Sequence, residues 1–284
     1  MNPVVSVIIP TYNQAGLLEK ALQSVIHQTV HDWEVIVIDN YSADNTQKIV
    51  ESINDARIYY IKFHNQGVIA ASRNKGISLA QGTYIAFLDS DDLWYPNKLA
   101  TCLTCLSRGK DAVYHGMKIT RDGTRGYDFI PGKPGLHFYE TLLYEGNSFI
   151  TTSTVVVRKE LLENCGLFSE KPEIVTAEDY DLWLRLIRNN ILWEVIPEIL
   201  GEYAMHGTNS SNNVMRQMNA EYSVLQDHVK NLKEMSITTR FRIKKRQMMI
   251  SLRAGRRLQQ NGQWRESIPF FVRGLIAPFK KPFE

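Results

Sequence analysis

Over the first hundred residues, short and nearly continuous apolar runs alternate with stretches of helical period. Val4-Val5-Ser6-Val7-Ile8-Ile9 reads as a buried strand, stopped by Pro10 and the polar Thr11-Tyr12-Asn13. Leu17, Leu18, Ala21, Leu22, Val25 and Ile26 then recur at the spacing of one helix face. The unit repeats from Glu34 to Asp39, a second strand that ends in a carboxylate. It is followed by the polar Ser42-Ala43-Asp44-Asn45-Thr46 and by a helix carrying Ile49, Val50 and Ile53. Ile58-Tyr59-Tyr60-Ile61 predicts a third short strand, residues 70–80 a third helix, and Tyr84 to Leu88 a further strand after Gln81-Gly82. Such alternation implies an α/β chain with a mostly parallel sheet between helices, joined by right-handed crossovers. Ligands of these sheets bind beyond the carboxyl ends of the strands. The polar ends near Thr11, at Asp39 and at Asp89 are therefore expected to face one crevice.

The densest charge follows the run that starts at Tyr84, where Asp89-Ser90-Asp91-Asp92 puts three carboxylates within four positions. Hard oxygen ligands packed this closely suit Mg²⁺ or Mn²⁺ bridging a nucleotide diphosphate. They equally suit an acidic turn that caps the next helix. No Gly-x-Gly-x-x-Gly follows the first strand and no Gly-x-x-x-x-Gly-Lys-Ser/Thr loop occurs, which argues against a dinucleotide-binding dehydrogenase and a P-loop NTPase. A diphosphate would have to be held otherwise. Arg73, at the start of a helix, could meet an anion together with backbone N–H groups, or could simply pair with an acid on the surface.

Further along, Ser153 to Arg158 reads as a strand and Lys159 to Phe168 as a turn and short helix. Residues 117–150 are rich in Gly, Tyr and Phe with no clear period, and are expected to form loops. From Val214 the pattern is helical to the end. Met218, Tyr222, Leu225, Val229 and Leu232 mark one face, a basic helix runs from Thr239 to about Gln260, and Trp264 to Phe279 makes another helix or two around Pro269.

Composition changes this picture in two ways. The net charge of +3 hides an asymmetry: residues 1–237 hold 21 Lys and Arg against 28 Asp and Glu, a net −7, whereas 238–284 hold 12 against 2, a net +10. A basic helical appendage on an acidic body points to an anionic surface. Phe270, Phe271, Leu275, Ile276 and Phe279 beside Arg273, Lys280 and Lys281 suit either packing on the body or a lipid surface. Nucleic-acid binding is not expected. The three cysteines, Cys102, Cys105 and Cys165, read as reduced thiols, with the first two at helical spacing beside Leu99, Leu103 and Leu106. No apolar run approaches the length of a membrane span and no signal peptide is read at the N-terminus. The expectation is a cytoplasmic protein, or one peripheral on the cytoplasmic face of the inner membrane.

Several of these motifs occur together in a known family. Ser6-Val7-Ile8-Ile9-Pro10-Thr11-Tyr12-Asn13, Gln28-Thr29 before Trp33 to Asn40, Arg73-Asn74-Lys75-Gly76, Gly82 to Asp92, Trp94-Tyr95-Pro96 and Ala177-Glu178-Asp179-Tyr180-Asp181-Leu182-Trp183 stand in one order. In that order and spacing the chain closely resembles the family 2 glycosyltransferases of the GT-A fold over about residues 1–211. The resemblance implies inverting transfer of a sugar from a nucleoside diphosphate donor to a saccharide or lipid-linked saccharide acceptor, in cell-surface polysaccharide or glycolipid synthesis. It implies a catalytic domain at 1–213, with a nucleotide-binding half 1–115 and an acceptor-side half 116–213, and a basic helical region at 214–284.

Carried over residue by residue, Pro10, Thr11, Tyr12 and Asp39 would hold the nucleobase. The Asp39 carboxylate would accept an imide N–H of uracil or thymine, which favours UDP or dTDP over GDP. Arg73 would contact base or diphosphate, Asp89 and Ser90 the nucleotide, and Asp91 with Asp89 the Mn²⁺ or Mg²⁺ ion. Asp179, preceded by Glu178, would be the base. By spacing alone Glu178, Asp179 and Asp181 are equally explained as acids in the first turn of a helix, favoured by its dipole. His206 lies in a segment whose family counterpart can approach the metal or diphosphate. Ala204 stands where many members carry Arg, so an anion contact from that position is missing. Two other classes share features: a sugar-phosphate nucleotidyltransferase, which would show a Gly-rich basic loop after the first strand, and a non-catalytic sugar-binding module, which would need neither Asp91 nor Asp179.

Overall fold

The computed structural model describes residues 2–121, 124–132, 135, 137–146, 150–205, 213–230 and 236–276. The chain forms two compact units. One comprises residues 1–136, 148–169 and 185–206, and the other residues 137–147, 170–184 and 207–284.

The first unit is built on a sheet. β1 (Val5–Thr11) is followed by α1 (Ala15–Ile26), β2 (Trp33–Asp39), α2 (Thr46–Ile53), β3 (Ile58–Lys62), α3 (Ile69–Leu79), β4 (Tyr84–Phe87), β5 (Leu93–Trp94) and α4 (Lys98–Leu106). Every residue of β1 and β2 is buried, as the continuous apolar runs require of central parallel strands. β1 pairs in parallel with β2 on one side and β4 on the other, and β2 pairs with β3. Register sets Thr11 beside Asp39, and the ladder continues past β4 through the Leu88 N–H to the Ile8 carbonyl at 3.1 Å. Two glycines allow close approach. A Cβ on Gly76 would lie 2.5 Å from Ile8 Cγ2, and one on Gly82 2.6 Å from the Ser6 backbone nitrogen.

β6 (Ala112–Arg121) and β7 (Thr124–Phe129) come next, and α5 (Phe138–Glu145) belongs to the second unit. β8 (Val156–Arg158) and α6 (Lys159–Asn164) return to the first. α7 (Glu178–Arg188) has residues 178–184 in the second unit and 185–188 in the first, and β9 (Trp193–Met205) completes the sheet. Among the described residues the strand order is β3-β2-β1-β4-β8-β6-β9-β5, with β7 on β6. The β8, β7 and β5 pairings are antiparallel, so parallel pairing is confined to β3-β2-β1-β4 and β6-β9.

Two expectations change. The stretch 117–150 is not without regular structure, since it holds the end of β6, all of β7 and α5. Partial exposure of these strands blurs the alternation that a two-sided strand would show. Residues 153–158 are not one strand either: Thr152–Thr154 form a buried 3₁₀ turn and only Val156–Arg158 pair. Local side-chain bonds explain the break, since the Thr154 hydroxyl donates to the Thr151 carbonyl at 2.7 Å and Ser153 is engaged by the acidic loop described below.

The second unit adds α8 (Val214–Lys230), α9 (Ile237–Gln260) and α10 (Trp264–Ile276). α9 starts two residues before the expected Thr239, because Ser236 caps it by accepting the Thr239 N–H at 3.0 Å. α10 runs through Pro269 as one helix and buries Ser267, Phe270 and Gly274. Among the described residues no helix is long and apolar enough to cross a membrane. All three cysteines are free thiols, and Cys102 is buried in the core with its thiol pushed up to about 11 by burial.

Candidate active site

Three strand ends meet as expected along the carboxyl edge of β1, β2 and β4. Asp39, the last residue of β2, is fully buried. Its carboxylate accepts the Ser42 N–H at 3.1 Å, the Ser42 hydroxyl, and the Tyr60 hydroxyl at 2.6 Å. Burial, followed by this bond to Asp39, holds the Tyr60 phenol well above its ordinary range. The loops after β1 and β2 are stitched together: Asn13 N–H donates to Ser42 Oγ at 2.8 Å, Asn13 Oδ1 accepts from Ala43 N–H at 2.7 Å, and Ala15 N–H donates to Asp44 at 3.0 Å. Thr11 and Pro10 are buried in β1, whereas Tyr12 stands out at the strand end.

Beside Tyr12, sequence reading missed Tyr41. Its backbone sits in the left-handed region at φ 56°, a conformation that a bulky residue holds only when its surroundings impose it. Its ring is 57% exposed and lies 6.1 Å from that of His64, tilted by 55°. An exposed tyrosine thus follows each of the neighbouring strands β1 and β2. Positive φ leaves no signature in the sequence beyond a turn-rich neighbourhood.

The acidic loop after β4 is organised by Arg73 and Ser153. The buried Arg73 guanidinium bonds Asp89 Oδ1 at 2.8 Å and lies 5.4 Å from the ring of Phe168, which meets Phe87 edge-on at 5.2 Å. Asp89 N–H donates to Ser153 Oγ at 3.0 Å, and the Ser153 hydroxyl donates to Asp92 Oδ2 at 2.6 Å. Asp92 Oδ1 accepts Ala204 N–H at 3.2 Å. Ala204 thus meets the acidic loop through its main chain. Ser90 donates to Gln14. Burial, then the charges of Asp91 and Asp89, push the Asp92 carboxyl well above the usual carboxylate range. Asp89 and Asp91 remain half-buried, so a cation could reach them.

Three crowded carboxylates, two of them accessible, fit a hard divalent ion that completes its shell with phosphate or water oxygens. Among the described residues no three His, Cys, Asp or Glu form a ready-made metal cage. Such an ion would therefore need ligands from a bound diphosphate. His206, the third expected ligand, lies outside the described residues.

Behind this loop, the resemblance motifs Gln28-Thr29 and Trp94-Tyr95-Pro96 are joined physically. Gln28 Nε2 donates to the Tyr95 carbonyl at 2.8 Å, and Thr29 N–H to the Pro96 carbonyl at 2.9 Å. Lys98 Nζ sits 3.4 Å from the centre of the Trp94 ring, fully buried and without a hydrogen-bond partner among the described residues.

In the second unit, Glu178 and Asp179 open α7. Glu178 is buried and folds back to accept the Thr176 N–H at 2.7 Å, while half-buried Asp179 accepts the Tyr180 N–H at 2.7 Å. Both acids thus accept main-chain N–H groups at the start of α7, where the helix dipole favours negative charge.

Comparison with known proteins gives a consistent result. A family profile described as glycosyl transferase family 2 matches residues 6–166. The UDP-Glc:alpha-D-GlcNAc-diphosphoundecaprenol beta-1,3-glucosyltransferase WfgD of Escherichia coli is 30% identical over 230 residues, 80% of this chain and 87% of that protein. Among solved structures, S. aureus TarS 1–349 in complex with UDP-GlcNAc superposes with a TM-score of 0.67 at 20% identity, over 95% of this chain and 81% of that one. The mannosyltransferase PcManGT from Pyrobaculum calidifontis, in complex with GDP-Man and Mn²⁺, superposes with a TM-score of 0.65 at 19% identity, over 98% and 75%. Both likenesses concern the fold.

Proposed function

Because the chain belongs to glycosyl transferase family 2 and has the GT-A fold, we propose that it moves a sugar from a UDP-sugar to a hydroxyl acceptor with inversion at the anomeric carbon. The observation that carries this reading is the loop Asp89-Ser90-Asp91 at the end of β4, with Arg73 locked against Asp89 at 2.8 Å. Tyr12 and Tyr41 supply exposed aromatic faces for the base. Asp39 orders the loop that bears Tyr41, and takes an imide N–H directly only if its bonds to Ser42 or Tyr60 open. Asp89 and Asp91 would hold Mn²⁺ or Mg²⁺, which when bound neutralises the charge of the leaving diphosphate. His206 remains a third candidate ligand.

Asp179 takes the proton of the acceptor hydroxyl as its oxygen attacks the anomeric carbon. The new carbon–oxygen bond forms on the face opposite the breaking bond, whose electron pair leaves with the nucleoside diphosphate. Glu178, turned back onto Thr176, holds the turn that presents Asp179. In this reading residues 1–213 carry the transfer.

For the acceptor, the name of the E. coli relative specifies a diphosphoundecaprenol-linked sugar, and a lipid-linked acceptor fits the surface of 214–284. α10 turns Trp264, Ile268, Val272 and Leu275 outward at helical spacing, and α9 exposes Ile237 and Phe241. Arg240, Arg242, Lys245, Arg265 and Arg273 are exposed on the same two helices. Apolar and basic residues together suit a peripheral contact with an anionic membrane surface.

The reading is tested by thermal unfolding with UDP, dTDP, GDP and ADP, each with and without Mn²⁺. UDP with Mn²⁺ is expected to raise the midpoint most, because a ligand that binds only the folded chain stabilises it in proportion to ln(1 + [L]/Kd). No response to any nucleotide overturns it. A nucleotidyltransferase would instead respond to nucleoside triphosphates and release pyrophosphate.

A further inference from the structure

The turn that carries Asp179 is gripped from inside the second unit by a buried chain of hydrogen bonds. Asp181 lies two residues after Asp179 on α7. Its Oδ1 is 3.1 Å from Nε2 of His228 on α8, and the other ring nitrogen, Nδ1, is 3.1 Å from the Tyr139 hydroxyl on α5. Asp181 and His228 are 8% and 5% exposed. The chemistry fixes the direction of the chain in the neutral ring. A carboxylate only accepts, so Nε2 carries the proton, which leaves Nδ1 to accept from Tyr139.

The residue between the two acids is held as firmly. The Tyr180 hydroxyl lies 3.0 Å from the Leu142 carbonyl and 3.1 Å from that of Leu143, and also bonds the guanidinium of Arg246. Arg246, buried on α9, is itself 2.7 Å from Glu221 of α8. α5, α8 and α9 thus all hold the two positions that follow Asp179.

Stability alone does not call for this arrangement. Leu182, Trp183 and Leu186 already bury the apolar stripe of α7, and a buried pair of ionisable groups seldom stabilises more than apolar side chains of the same shape. What such a pair supplies is one defined geometry. We infer that His228 is a positioning residue for glycosyl transfer, which fixes the first turn of α7 through Asp181 and thereby aims the carboxylate of Asp179. The inference rests on the reading of Asp179 as the base. It makes the C-terminal helices part of the catalytic apparatus.

The test uses the full chain and whichever of UDP-glucose, UDP-N-acetylglucosamine, dTDP-glucose and GDP-mannose releases nucleotide in the presence of Mn²⁺. In His228→Leu, kcat is expected to fall ~10- to 100-fold while the donor KM stays within ~3-fold, since a displacement of ~1 Å at a reacting group costs about that much in rate. His228→Gln keeps an N–H for Asp181 and is expected to recover most of the loss. Tyr139→Phe, which removes one hydroxyl and should fold even if the Leu variant does not, is expected to lower kcat by a few-fold with donor KM unchanged.

Parent-like kcat in His228→Leu or in Tyr139→Phe, a loss carried by donor KM instead of kcat, or a Gln variant no better than Leu would each overturn the inference. Asp179→Asn separates the two levels. If it retains turnover, the base reading falls and this inference with it. If it is inactive while His228→Leu is parent-like, only the role of His228 falls.

Discussion

Replacing Asp39 isolates what a fully buried carboxylate contributes at the carboxyl end of β2. Three donors converge on it: the Ser42 N–H, the Ser42 hydroxyl and the Tyr60 hydroxyl. Hydrogen bonds to a charged group contribute about 1.5–3 kcal/mol each, but Ser42 and Tyr60 are only partly buried, so their hydroxyls regain water when the acceptor goes. Asp39→Ala is therefore expected to cost about 3 kcal/mol, with the main-chain N–H of Ser42 bearing most of the uncompensated loss. Asp39→Asn keeps the volume and one acceptor oxygen, and both hydroxyls can rotate to accept from its amide, so about 1 kcal/mol is expected. At roughly 2–4 °C per kcal/mol for a chain of this size, the alanine variant should melt about 6–12 °C below the parent. Circular dichroism melts at pH 7 without ligand read this directly. A UDP titration reads the functional side, where at least a ~10-fold weaker Kd, about 1.4 kcal/mol, is expected once the loop bearing Tyr41 loses its anchor. An alanine variant that melts with the parent would refute the reasoning, as would one that is destabilised yet binds UDP with undiminished affinity.

Lys98 offers a pH test. Burial lowers its pKa to about 8 from an ordinary 10.5, so between these values the unfolded chain holds a proton that the folded chain has released, and the Lys98 contribution to stability rises with pH across that window, opposed above pH 9 by the buried Cys102 thiol. Lys98→Met is expected to be more stable than the parent at pH 7 and to lack the rise between pH 8 and 10, as measured by denaturant unfolding at each pH; an identical pH profile in both proteins would contradict the effect. On the appendage, Ile268→Glu with Leu275→Glu should abolish sedimentation with vesicles of phosphatidylglycerol at low salt and leave nucleotide release from free donor unchanged. Binding of the parent to neutral vesicles as strongly as to anionic ones, or a concentration-dependent change in its mass in place of vesicle binding, would remove the membrane from the reading.

The first half of the sheet was legible because β1, β2 and β4 are buried on both faces and so appear as apolar runs cut off by polar residues. That pattern also placed Asp39 and Asp89 at neighbouring strand ends. β7 and α5 were not legible. β7 pairs with β6, the strand just before it, but its residues are largely exposed and so carry no clean apolar period. The engagement of Asp39 was only half readable: Ser42 three positions on is a spacing at which an Asp side chain meets a turn, whereas Tyr60 arrives through the pairing of β2 with β3. Nothing in the sequence around His228 marks it out within its helix. Its partners are 47 and 89 residues away in sequence, and only the folding of α5, α7 and α8 into one unit brings them together.

Nucleotide release by the parent and by Asp179→Asn, with donor binding measured on both, bears most directly on whether this chain performs metal-assisted transfer with Asp179 as base. Release is expected only with Mn²⁺ or Mg²⁺ present, and to fall ~10²- to 10⁴-fold in the variant while UDP-sugar binds with parent affinity. Release that survives chelation of the metal, or that persists in Asp179→Asn, would contradict it.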